Sequence, residues 1–127
     1  VGAISQKKNK LKKPLNYIEQ YYDQDLRWRK MVNNYLKNQY KVLFDKIDKL
    51  VYLKAPNFNY IFRWRLLQEQ KLKMKSKNKN IMSKEKIREF IMFYERITRD
   101  MMNNFSQISD LTIFLDKHHR SKKMKFF

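Results

Sequence analysis

The chain has 127 residues, no cysteine, a single glycine and a formal charge of +18 at pH 7, with 43% of its residues hydrophobic. That length suits one core rather than two domains, and no apolar run reaches a membrane span or secretory core, so a soluble protein without membrane partners is expected. The missing cysteines exclude disulfides and thiolate metal sites and suit a reducing cytoplasm, while the lone Gly2 excludes a Walker A loop and a dinucleotide fingerprint, which need further glycines to bring backbone N–H groups against phosphates.

"VGAIS" opens the chain as the end of a strand whose start lies upstream, and the first residue, Val1 rather than Met, suggests a fragment of a longer protein. "KKNKLKKPLN" reads as a basic loop closed by Pro14, and "PLNYIEQYY" places Leu15, Ile18 and Tyr22 at helical spacing. From about Asp25 to Ile47 one longer helix is predicted, with Trp28, Met31, Val32, Tyr35, Val42 and Leu43 on one side and Asp23 or Asp25 as its cap.

"KLVYLKAP" is a compact apolar run bounded by Lys49 and Pro56, the pattern of a buried strand. A helix follows from about Phe58 to Met74, broken by the polar "KMKSKNKN". Ser83 is a suitable N-cap for a helix in which Ile87, Phe90, Ile91, Tyr94, Ile97, Met101 and Phe105 keep the 3.6-residue period. "DLTIFLD" reads as a second buried strand, and "KHHRSKKMKFF", residues 117–127, as a basic tail without a period. Two buried strands joined through long helices predict an α/β architecture with a parallel sheet flanked by helices, its other strands lying before Val1.

On a helical wheel Phe58, Ile61, Phe62, Leu66 and Leu72 gather on one side of the third helix, and Arg65 and Glu69 fall inside the same stripe. Arg63 lies away from it. An exposed i,i+4 pair of this order contributes only about 0.2–0.5 kcal/mol, so a guanidinium among aromatics should meet a carboxylate, a phosphate or the mouth of a cleft. In the following helix Arg88, Arg96 and Arg99 sit at or beyond the edge of the apolar stripe, with Glu95 four residues before Arg99, which reads as a solvated supporting face.

Other chemistry is thinly marked. His118 and His119 are adjacent, with no spacing that completes a metal set. Trp28 and Trp64 sit at helical spacing, the usual pattern of core aromatics. The excess charge is mostly lysine mixed with asparagine and isoleucine, the pattern of solvated basic faces, although a basic helical module binding nucleic acid through phosphates is the alternative function it raises.

Several separated motifs, "PLNYIE", "RWRKMVNNYL", "YLKAPNFNYIFRWRLLQEQKL" and "YERITR", resemble in order and spacing the C-terminal part of the P-loop kinase-like family typified by D-glycerate 3-kinase. The resemblance implies a P-loop NTPase fold, ATP with Mg2+ as cofactor, and transfer of the γ-phosphoryl group to a small hydroxylated acceptor, with the Walker A loop lying upstream and this chain inactive alone. It implies a lid over about residues 56–85, tipped by "KSKNKN", in which Arg63 and Arg65 bind phosphate, Arg65 acts on the transferring group and Glu69 orients it. Arg96 and Arg99 would support the lid. Lys117 and His118, after the second strand, would lie near the nucleotide base.

Overall fold

A computed structural model describes residues 3–75 and 81–127. The two apolar runs form β1 (Val51–Lys54) and β2 (Leu111–Leu115), which pair in parallel with Val51 opposite Leu111 and Leu53 opposite Ile113, as their separation by long helices predicts. The tail is not irregular. Ser121–Phe126 forms β3, antiparallel to β2 with Met124 opposite Ile113 and Phe126 opposite Leu111, so the sheet is mixed, in the order β1-β2-β3. Its lysines mask a short alternation of Met124 and Phe126 with charge, and lysine on an edge strand discourages pairing with another chain.

The N-terminal expectations need three corrections. Residues 3–7 have no regular structure, and the supposed basic loop contains the helix α1 (Lys8–Lys12). After α2 (Tyr17–Tyr21), whose Asn16 side chain accepts a hydrogen bond from the Glu19 N–H, the long helix is two helices, α3 (Arg27–Lys37) and α4 (Gln39–Phe44). They meet at Asn38, whose side-chain amide donates to Asn34 Oδ1 at 2.8 Å; asparagine favours such local bonds over helix continuation.

α5 (Phe58–Lys75) and α6 (Lys84–Asn104) occupy the predicted spans and pack on one another. Ser83 caps α6 by accepting from the Lys86 N–H. At its end Phe105 packs edge to face on Tyr52 of β1, ring centroids 5.3 Å apart, and with Ile87, Ile91, Leu11 and Ile18 it belongs to the buried core. Among the described residues only this face of the sheet is covered. The other carries Val51 and Leu53, then Met124 and Phe126, all exposed, and β1 has no partner on its outer edge among the described residues.

Candidate functional site

α5 begins immediately beyond the C-terminal end of β1. Pro56 and Asn57 turn the chain, and the Asn57 side chain accepts from the Asn59 N–H at 3.0 Å. Two turns on, Arg65 Nη1 lies 2.6 Å from Glu69 Oε1 and donates to Gln68 Oε1 at 3.0 Å. Its Nη2 approaches Met82 Sδ at 3.8 Å, and the guanidinium lies 5.9 Å from the centre of the Phe90 ring. Glu69 is buried and also accepts from the Met82 N–H at 3.2 Å, which fixes the carboxylate between α5 and the start of α6. The Arg65 side chain keeps 27% of its surface in solvent, so the pair is anchored on the inside and open on the outside.

The opposite wall comes from the turn joining β2 to β3. Asp116 builds that turn: its Oδ1 accepts the N–H groups of His118 at 2.7 Å and Arg120 at 2.9 Å. The Arg120 N–H bond first, then that of His118 and the nearby positive charges, hold the Asp116 carboxyl below the usual range against a smaller opposing effect of burial. His119 takes a positive φ of 63°, and its ring lies against Trp64 with centroids 4.0 Å apart, while the Trp64 indole N–H donates to the Lys117 carbonyl at 3.1 Å.

Between the walls lies a groove of about 530 Å³ lined by Trp64, Arg65, Gln68, Lys71, Lys75 and His119 among others. Arg65, Lys71 and Lys75 share it with an imidazole and an indole, and among the described residues no carboxylate lines it. It sits beyond the C-terminal ends of the parallel strands, where open α/β sheets bind ligands. Chemically it suits an anion with a flat or apolar portion.

The predicted site residues are not all gathered here. Arg63, two positions from Arg65, is exposed and stacks on Tyr60 with its guanidinium carbon 5.3 Å from the ring centre, outside the groove. Lys117 and His118 are exposed, and it is His119 that reaches the groove. Arg99, half-exposed, pairs with Glu95 at 2.8 Å as its spacing predicts and covers Phe58 in a separate cleft beside Lys54. The solvated position expected for Arg96 is wrong: it is 9% exposed and clasps Glu19 with Nε–Oε1 2.7 Å and Nη2–Oε2 2.6 Å. The lid tip lies largely outside the described residues, since 76–80 are not among them.

Sequence reasoning missed Lys71, Lys75, Gln68 and His119 in the groove and took Trp64 for a core residue. Lys71 and Lys75 follow Gln68 and Arg65 at helical spacing, a signal that the wheel contained. It also missed the most completely bonded cation. Arg29 uses five N–H groups: Nε to Asp23 Oδ2 at 2.8 Å, Nη1 to the carbonyls of Leu11 and Lys12, and Nη2 to those of Glu19 and Asp23. Asp23 does cap α3, accepting from the Trp28 and Arg29 N–H groups.

Among the described residues no group of three acidic or histidine side chains could hold a metal ion, so the Mg2+ implied by the resemblance finds no ligand set there. No helix among them is long and apolar enough to cross a membrane.

No protein-family model matches the chain. Over 55 residues it is 46% identical to an uncharacterized kinase, mug58, of Schizosaccharomyces pombe, a match spanning 43% of this chain and 19% of that protein. The fold resembles D-glycerate 3-kinase from Cryptococcus neoformans var. grubii serotype A, with a TM-score of 0.67 and 22% identity, over 98% of this chain and 46% of that one. The chain thus spans less than half the length of either. Both likenesses are to proteins named as kinases, the direction in which the sequence motifs pointed, and the structural one shows a shared fold, with this chain corresponding to part of it.

Proposed function

We propose that the chain is the downstream part of an ATP-dependent small-molecule kinase of P-loop type, which transfers the γ-phosphoryl group of ATP to the hydroxyl of D-glycerate or a related metabolite in the cytoplasm. The observation that carries this reading is the carboxylate-free groove walled by Arg65, Lys71, Lys75 and His119, set in a fold similar to that of D-glycerate 3-kinase.

Phosphoryl transfer depends mainly on positioning and on neutralising the equatorial oxygens of the group in flight. A planar guanidinium held from behind is suited to that task, because its orientation is set before the anion arrives. Here Glu69, buried and fixed by the Met82 N–H, does the holding. Lys71 and Lys75 extend the positive wall along α5, and Trp64 with His119 supplies a flat surface for the rest of the ligand. ATP supplies the phosphoryl group; the residues of this chain bind, orient and shield it. The loop that cradles the phosphates would come from the rest of the domain, since one glycine cannot build it.

The uncovered sheet face supports the same reading. An exposed apolar face and a free strand edge are liabilities that finished domains cover. Further strands beside β1, with helices over Val51, Leu53, Met124 and Phe126, would complete the sheet. The test is an assay of ATP-dependent phosphorylation of D-glycerate by this chain and by the parent polypeptide. The parent turns over and the chain alone does not; turnover by the chain alone, or none by the parent with any small hydroxy acid, would overturn the assignment.

A further inference from the structure

A second basic groove, of about 740 Å³, lies between α1 and α3. Four lysines line it, Lys8 and Lys12 from α1 and Lys30 and Lys37 from α3, with Asn33 and Asn34 between them and, among the described residues, no carboxylate. None of the four forms an ion pair among the described residues, whereas Lys41 and Lys49 pair with Asp45 and Asp110. All four are exposed.

The manner in which α1 is held makes this more than a basic surface. Its sequence, Lys-Asn-Lys-Leu-Lys, has no side-chain cap and no acidic residue in its first turn, and Lys8 and Lys12 are like charges one turn apart, an unfavourable pairing. A helix of five residues does not persist on such terms by itself. It is fixed instead from beneath: Leu11 is buried, Arg29 Nη1 donates to the Leu11 carbonyl at 2.7 Å, and Arg96 donates to the carbonyls of Lys10 at 2.7 Å and Lys13 at 2.6 Å. Two buried guanidinium groups therefore hold a like-charged helix opposite the lysines of α3. Facing cations repel unless an anion lies between them.

We infer that the α1–α3 groove binds an anion carrying two or more linked phosphate groups, at a site distinct from the groove of α5. Lys30 and Lys37 lie two turns apart on α3, roughly 10 Å along the axis at about 1.5 Å per residue, and with Lys8 and Lys12 they spread the positive charge along the groove, an arrangement that an anion with several linked phosphates matches along more of its length than a single phosphate does. The Asn34 amide offers a neutral donor midway along the groove.

The test is an NMR titration of the isotopically labelled chain with inorganic triphosphate, read at the backbone amides of α3 and the side-chain amides of Asn33 and Asn34, which separates this site from the α5 groove. Saturable shifts are expected, with orthophosphate at equal ionic strength at least about tenfold weaker. Lys30→Glu with Lys37→Glu should weaken triphosphate by about tenfold or more, while the same charge change by Lys122→Glu with Lys123→Glu on β3 alters it by less than about threefold. ATP separates the sources: saturation below the triphosphate concentration indicates a nucleotide tail, and saturation above it an inorganic polyphosphate. Absence of saturable shifts in α3, equal affinity for orthophosphate, or equal loss in both double variants would overturn the inference.

Discussion

Arg96 of α6 grips both carboxylate oxygens of Glu19, 77 residues earlier in the chain, at 2.7 and 2.6 Å, and both side chains are buried. The same guanidinium donates to the carbonyls of Lys10 and Lys13, so one side chain ties α1 and α2 to the helix that lies beside the sheet. Glu19 Oε2 also accepts from the Leu15 N–H at 2.8 Å. Removing one partner would leave the other as an unpaired buried charge. Glu19→Gln and Arg96→Met should each destabilise the chain by about 3–5 kcal/mol in urea unfolding; a loss below about 1 kcal/mol would show that the pair is replaceable.

Asp23 gives the fold a pH dependence of known sign. Burial alone would raise its carboxyl, but the Arg29 side-chain bond, the Trp28 and Arg29 N–H groups and the Arg29 charge hold it below its ordinary value of 3.8. A carboxyl lowered in the folded state stabilises fully above that ordinary value and loses its contribution as pH falls through the lowered one. Asp23→Asn should therefore unfold at lower urea than the native chain at pH 7, and the gap should narrow below about pH 4. A gap that widens with acid would reverse the sign.

The stacking of His119 on Trp64 depends on the turn that Asp116 builds. In a Trp28→Phe background, leaving Trp64 as the reporter, Asp116→Ala and His119→Ala should both shift emission to the red as the indole gains water. Emission that stays in place in both variants would mean that the turn does not shape the groove.

Leu53 tests whether the bare sheet face is covered in the parent. It is 59% exposed in this chain, so Leu53→Lys should change the stability of the chain alone by no more than about 0.5 kcal/mol. In the parent the same change should cost about 2 kcal/mol or more, because a charge would be buried there. Equal tolerance in both would mean that the face stays open.

Much of the frame was legible in the sequence because its signals are local. The apolar runs of β1 and β2, the periodicity of α6 and the Ser83 cap all act within a few residues, and the wheel placed Arg65 beside Glu69 correctly. What was not legible depends on distant partners. Arg96 stands at the edge of its stripe and is buried where Glu19 and the Lys10 and Lys13 carbonyls meet it from distant parts of the chain. α1 has no side-chain cap and no acidic residue in its first turn and is held through carbonyl bonds from Arg29 and Arg96. In β3 the alternation of Met124 and Phe126 was hidden by lysines, and the choice of His119 over His118 rests on a backbone angle that no spacing reports. Asp116 followed by four residues before the next run was the available clue to a tight turn.

The central claim is that Arg65, steadied by Glu69, meets the phosphoryl group while Arg63 does not. Steady-state kinetics of ATP-dependent phosphorylation by the parent polypeptide test it most directly. Arg65→Ala should lower kcat/KM about 100-fold, near 2.7 kcal/mol of transition-state stabilisation, and Arg63→Ala should change it by less than about threefold. An Arg65→Ala enzyme as active as the native one, or an equal loss from both variants, would contradict the account.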